Sequence, residues 1–128
     1  MELFDGHVEL LRQAAAFSAR RHELLAQNLA NAETPGFRAK DLIFREELNA
    51  ALQGRVIPTR VEIPMDGHPQ KIHPVVILAG DGRLRVDGND VNLDKEMVKL
   101  SGNTLLYNAL IQVLTSQFTL LKTAINGR

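Results

Sequence analysis

From Met97 to Ile125 the chain repeats one rhythm without a proline to break it. Met97, Leu100, Thr104, Tyr107, Ile111, Leu114, Phe118, Leu121 and Ile125 follow strict 3-4-3-4 spacing. Such a heptad seam draws a largely apolar stripe down one side of a helix, and the stripe needs another helix to cover it. A weaker copy of the rhythm runs near the start, through Phe4, Val8, Leu11, Ala15, Ser18, His22, Leu25, Leu29 and Ala32. Two helical arms at opposite ends, with a different kind of segment between them, are the pattern of an assembly component rather than of an enzyme.

Length sharpens the point. The chain has 128 residues, which suits one domain with a radius of gyration of roughly 14 Å. A helix from Leu93 to Asn126 would extend roughly 50 Å at 1.5 Å per residue. It outgrows the globule and leaves apolar surface for partners. Gly102 is its one weak point, at a cost of roughly 1 kcal/mol relative to alanine.

Composition removes several function classes. Lys plus Arg total 15 and so do Asp plus Glu, so long-range attraction to nucleic acid or an acidic membrane is not the theme. Arg20-Arg21 alone makes no nucleic-acid footprint. Cysteine is absent, which excludes disulfides, thiol nucleophiles and cysteine zinc sites. No stretch approaches the ~18 apolar residues of a membrane span. Met1-Glu2-Leu3-Phe4-Asp5 lacks the basic and apolar regions of a cleavable secretory signal, so export, if it occurs, is expected by another route.

Along the chain, residues 6–32 read as a first helix, supported by Ala14, Ala15, Ala16, Ala19, Ala26 and Ala30. Leu10, Phe17 and Leu24 widen its stripe. Glu33-Thr34-Pro35-Gly36-Phe37 is a hard corner: proline forces Thr34 out of the α region, and Pro35-Gly36 suits the centre of a type II turn. Asn28 and Asn31 stand where amides can satisfy the last helical carbonyls or reach a neighbour. Residues 41–52 read as a short helix with Leu42, Phe44, Leu48, Ala51 and Leu52 inward and Gly54 as its stop. The span 55–88 is of another kind: alternating residues broken by Pro58 and Pro64, a turn at Asp66-Gly67-His68-Pro69, then a hairpin of Val75–Ala79 and Leu84–Val86 about Gly80-Asp81-Gly82. A lone hairpin is marginal, so this span is expected to be mobile and the free chain largely disordered. After Asp87-Gly88-Asn89-Asp90, Asn92 is the expected N-cap of the last helix. Asp94 and Glu96 complement its positive end, Lys122 lies near its negative end, and Gly127 fits C′.

Catalytic and metal constellations are not found. His7, His22, His68 and His73 have no ligand spacing, and packing or solvated roles are expected. Glu46-Glu47 diverge on a helix, and the carboxylates of Asp87 and Asp90 are expected on solvated faces. Asp81-Gly82 and Asp87-x-x-Asp90 lack EF-hand spacing. There is no phosphate loop or Gly-x-Ser-x-Gly elbow.

The corner carries a resemblance. Asn28-Leu29-Ala30-Asn31-Ala32-Glu33-Thr34-Pro35-Gly36-Phe37-Arg38-Ala39 resembles the signature of the bacterial flagellar axial proteins, the rod and hook family, where an Asn-rich helix end runs into Thr-Pro-Gly-aromatic-basic. Asp87-Gly88-Asn89-Asp90-Val91-Asn92-Leu93-Asp94-Lys95-Glu96-Met97, Leu106-Tyr107-Asn108-Ala109 and Leu121-Lys122-Thr123-Ala124-Ile125-Asn126-Gly127-Arg128 are similar to proximal rod subunits of that family. The likeness spans residues 9–52 and 87–128.

The resemblance implies a mainly α fold. Long terminal helices would pack as a coiled-coil-like core domain built from residues 1–54 and 89–128, with a short third helix and a partly irregular or β-hairpin middle over 55–88. It implies a structural, non-enzymatic subunit of the proximal rod that stacks helically around an export channel, with no cofactor or metal. The implied partners are further copies, the ring-to-rod adaptor FliE, adjoining rod proteins such as FlgC, and the flagellar type III export apparatus, with delivery to the periplasmic rod unaided by a cleaved signal. Asn28, Asn31, Thr34, Pro35, Gly36, Phe37 and Arg38 form the motif. Val8, Leu11, Leu25, Leu29, Met97, Leu100, Tyr107, Ile111, Leu114, Phe118, Leu121 and Ile125 are the expected packing and assembly positions. The competing expectation is a soluble helical adaptor or export chaperone, for which the corner motif has no evident use. A wall hydrolase would need a carboxylate cleft that the sequence does not offer.

Overall fold

Two long helices run antiparallel, and a small sheet packs against the first of them. The structure, a computed structural model, describes residues 2–43, 59–60, 75–80 and 82–127. Helix α1 covers Glu2–Ala30 (29 residues), followed by strands β1 (Lys40–Ile43), β2 (Thr59–Arg60) and β3 (Val75–Leu78). Helix α2 covers Leu93–Asn126 (34 residues). The antiparallel sense follows from two cross-links: Ser18 bonds Asn103, and Asn28, ten residues further along α1, bonds Glu96, seven residues earlier on α2. The fold is mainly α, as the spacing predicts.

Both ends of α2 are set by local chemistry. Asn92 adopts an extended conformation and its side chain accepts from Lys95 N, while Gly127 closes the helix in the left-handed region at φ 65°. Asp94 and Glu96 occupy the first turn, and the last turn holds no basic residue, so Lys122 stands short of it. Gly102 does not break the helix. Helix α1 ends at Ala30, and turns carry the chain through Glu33 to the corner.

The sheet corrects two sequence expectations. Lys40–Ile43 is a strand and not the start of a helix at Asp41; residues 44–52 lie outside the described residues. Its partner is β3, in the register Lys40↔Leu78 to Ile43↔Val75, and β2 joins β3 on the other side, giving the antiparallel order β1-β3-β2. Non-local pairing overrides the helical spacing that Leu42 offers with residues further on. The returning strand expected at Leu84–Val86 is likewise not formed: β3 pairs with β1 and β2, and residues 83–85 are irregular. Gly80 is closely approached by Asp90, where a Cβ would lie 2.0 Å from a carboxylate oxygen, and Asp81 of the expected turn lies outside the described residues. The Arg55–Pro64 span lies outside the described residues except for β2, and the Asp66–Pro69 turn lies wholly outside them.

Two small cores result. Phe17 and Leu24 of α1 meet Leu42 of β1 and Val76 of β3, while Ala32, Ala39 and Val91 pack with the half-buried Phe37. Val76, from the 55–88 span, thus shares its core with α1 and β1. Leu25 and Leu42 are among the largest fully buried side chains, together with Asn28, Asn89 and Ser18. That polar company is the distinctive property of this interior.

Candidate functional site

Buried amides and carboxylates stitch the three elements at the corner. Asn28 stands on α1, fully buried. Its Oδ1 accepts from Lys40 N at 3.0 Å, and its Nδ2 donates to Lys40 O at 2.6 Å and to Glu96 Oε2 at 2.8 Å. The side-chain amide thus acts as a one-residue strand along the free edge of β1 while holding the start of α2. A buried amide with its capacity filled costs little, and an unfilled one costs much. Glu96 is buried beside it and also accepts from Lys99 Nζ at 3.0 Å. Arg21 forks onto Asp41 through Nε at 2.7 Å and Nη2 at 2.9 Å, with Lys99 Nζ at 3.8 Å from the same carboxylate.

The corner itself is a turn closed by Phe37 N donating to Thr34 O at 3.3 Å. Gly36 sits at φ 73°, where an L side chain is strained, as the type II reading requires. Asn31 Nδ2 donates back to Gln27 O, and Thr34 Oγ1 donates to Asn31 Oδ1. Phe37 turns inward; Thr34, Pro35 and Gly36 are exposed. Arg38 Nε donates to Asp90 Oδ2 at 2.7 Å, and Asp90 Oδ1 accepts from Ala39 N at 2.6 Å. Asp90 is buried, which corrects the solvated placement expected for it, whereas Asp87 is exposed. Its hydrogen bonds show why: desolvating this carboxylate is offset by a guanidinium and a backbone amide.

Helix α2 shows two faces. Glu96, Lys99, Leu100, Asn103, Leu110, Leu114, Gln117 and Leu121 are buried or half-buried at helical spacing, on the side from which Glu96 and Asn103 reach α1. The expected seam is rotated from this face by a fraction of a turn. Leu100, Leu114 and Leu121 are shared with the inner face, but Met97, Tyr107, Ile111, Phe118 and Ile125 are exposed. On α1, Val8, Leu11 and Leu29 are half-buried and Leu25 is wholly buried. Further exposed apolar side chains, Leu93, Val98, Leu105, Leu106, Val113 and Leu120, extend to the far side of α2. No charged residue occurs between Lys99 and Lys122. The hydroxyls of Thr104, Thr115, Thr119 and Thr123 each donate to the carbonyl four residues back, at 2.8–2.9 Å. Those hydroxyls can be covered without losing a water partner. A helix apolar around its circumference is one made to be buried, yet α1 covers one side of it.

Sequence reading missed Asn89, Glu96 and Asn103 as buried connectors. Their signal was present: uncharged or singly charged polar residues on the stripe of an otherwise apolar helix, or beside a glycine turn. His7 and His22 are exposed; His68, His73, Glu46 and Glu47 lie outside the described residues. Among the described residues no group of His, Asp or Glu stands together as a metal site, and no helix is long and apolar enough to cross a membrane.

No family model matches the chain. It is similar to curated proteins along nearly its whole length. The flagellar basal body rod protein FlgB of Salmonella typhimurium is 31% identical over 135 residues, covering 99% of this chain and 98% of that protein. FlgB of Escherichia coli K12 is 30% identical over 126 residues, covering 91% of each. FlgB of Bacillus subtilis is 28% identical over 128 residues, covering 99% and 98%. The chain belongs to the FlgB family of flagellar basal body rod proteins. Within a FlgB-type chain the uncovered α2 surface and the stitched corner acquire a common setting, that of a structural rod subunit. The adaptor alternative is not favoured by these relatives.

Proposed function

We propose that this chain is a structural subunit of the proximal rod, packing helically around an export channel and joining the membrane ring to the rest of the rod. The observation that carries the reading is α2: apolar on several sides, uncharged from Leu100 to Leu121, and covered by its own chain on one. Neighbouring subunits would bury the remainder. In this reading residues 1–54 and 89–128 act as one core domain, to which the middle, 55–88, adds β3 and the corner contacts of Arg85 and Asp87. Leu25, Leu100, Leu114 and Leu121 serve packing within the chain, with Val8, Leu11 and Leu29 at its margin. Met97, Tyr107, Ile111, Phe118 and Ile125 face other subunits. The motif from Asn28 to Arg38 fixes the direction in which the chain leaves α1.

The partners are further copies of the chain, a ring-to-rod adaptor of the FliE type, adjoining rod proteins of the FlgC type, and the type III export apparatus that delivers it to the periplasmic rod. The contacts that fit α2 are dispersive and dry rather than ionic, so assembly should tolerate salt. The test is complementation of a motile strain that lacks its own subunit, with basal bodies purified and probed for the chain. Restored rods containing this chain support the proposal. Motile cells whose basal bodies lack it overturn it.

A further inference from the structure

The corner closes a local turn of its own, and a distant segment adds a second set of bonds to it. Asn89, fully buried, donates through Nδ2 to Asn31 O at 2.9 Å and Thr34 O at 2.8 Å, and its Oδ1 accepts from Val91 N at 2.8 Å. Gly36 N donates to Asp87 O at 2.8 Å and Asp90 N donates to Phe37 O at 3.3 Å. Arg85 donates to the Ala32 carbonyl, and Asp90 takes Ala39 N and Arg38. Asn31 O and Thr34 O, which already accept from Thr34 N and Phe37 N, thus each gain a second donor from Asn89, and the Ala32 carbonyl takes Arg85. Gly88, at φ 82°, lies beside Gly36: a Cβ on Gly88 would stand in ordinary contact, 3.4 Å from the Gly36 Cα, so a substitution there acts through the backbone conformation. Beyond Val91 the same segment becomes the N-cap Asn92 and α2 without a break.

We infer that residues 85–91 are the mould of the corner, with Asn89 as its positioning residue. Thr34-Pro35-Gly36-Phe37 holds its turn while that segment is seated, so docking of α2 and the exit direction after α1 are a single event. This goes beyond the rod assignment, since it assigns coupling between two parts of one chain and does not depend on what the chain assembles with. Helix ends that lack intrahelical acceptors or donors must find them elsewhere. Here they find them 50 or more residues away, as the separations of 51 to 58 residues in these bonds record. Coupling of this kind is reciprocal: what loosens one side must loosen the other by the same factor.

The test is amide hydrogen exchange on the purified full-length chain. In the wild type the Gly36 amide, whose acceptor is Asp87 O, is protected. In Asn89→Ala, which removes neither group of that bond, Gly36 exchange should rise at least about tenfold, together with Lys95 and Glu96 at the start of α2. The Leu24 and Leu25 amides inside α1 should stay as they are. Gly88→Ala, which removes no hydrogen-bonding group, should act the same way through backbone strain and decides the matter if Asn89→Ala also loosens α1. In the reverse direction, Gly36→Ala should raise exchange at Asn89 and Val91 by a comparable factor. An unprotected Gly36 in the wild type, or Gly36 exchange that changes no more than Leu25 in Gly88→Ala, would overturn the inference.

Discussion

Ser18 of α1 and Asn103 of α2 exchange two hydrogen bonds across the helix interface. Ser18 Oγ donates to Asn103 Oδ1 at 3.0 Å, and Asn103 Nδ2 donates to Ser18 O at 2.8 Å. Both residues are buried. A polar pair inside an apolar helix seam fixes axial register at some expense of stability. Together with Asn28 and Glu96 it leaves α1 and α2 one alignment, which matters because the surrounding leucines would accept several.

Removing one partner should therefore cost more than removing both. Ser18→Ala leaves the Asn103 carbonyl oxygen short of a donor and is expected to lower stability by about 1–2 kcal/mol. Combining Ser18→Ala with Asn103→Leu should recover most of that loss, while the register becomes degenerate. Urea unfolding gives the energies, and light scattering of the double variant should show mixed oligomers where the wild type has one form.

The two cores and the buried amide links lead to an expectation of a folded isolated chain in place of the largely disordered one read from the sequence, and core and assembly faces should separate cleanly in it. Leu25 is fully buried, so Leu25→Ala is expected to cost about 2–4 kcal/mol. Phe118 is exposed on α2, so Phe118→Ala should change stability by less than about 0.5 kcal/mol. Urea midpoints of the two variants check this, and equal losses would mean that Phe118 is covered within the chain.

The Arg21–Asp41 fork anchors β1 to α1. Arg21→Ala leaves a nearly buried carboxylate with Lys99 at 3.8 Å as its remaining cation among the described residues and should cost about 1–3 kcal/mol. Arg21→Lys should recover less than half of it, because an ammonium cannot make the planar two-bond contact. Thermal unfolding of the three proteins orders them.

How far the sequence could be read follows from where the determinants lie. Local signals survived: Asn92 and Gly127 mark the ends of α2, Pro35-Gly36 turns the chain, and the spacing from Met97 to Ile125 predicts an unbroken helix. Determinants shared between distant segments did not. Lys40–Ile43 is a strand because Val75–Leu78 and the Asn28 amide complete it, and no window around Asp41 contains either. The inner face of α2 is rotated from the apolar seam because Glu96 and Asn103 define it, and a reading that follows apolar residues passes over them. Asp90 looks solvated beside Gly88 until Arg38, Ala39 and Gly80 are brought to it.

If neighbouring subunits bury the uncovered α2 surface, charging that surface should keep the subunit out of the rod. The most direct measurement is incorporation of an Ile111→Asp, Phe118→Asp variant into basal bodies of a strain lacking its own subunit, with circular dichroism and urea unfolding of the purified variant alongside. The expected result is a chain that folds like the wild type, is absent from purified basal bodies and does not restore swimming. A variant found in the rods of swimming cells at wild-type abundance would contradict it.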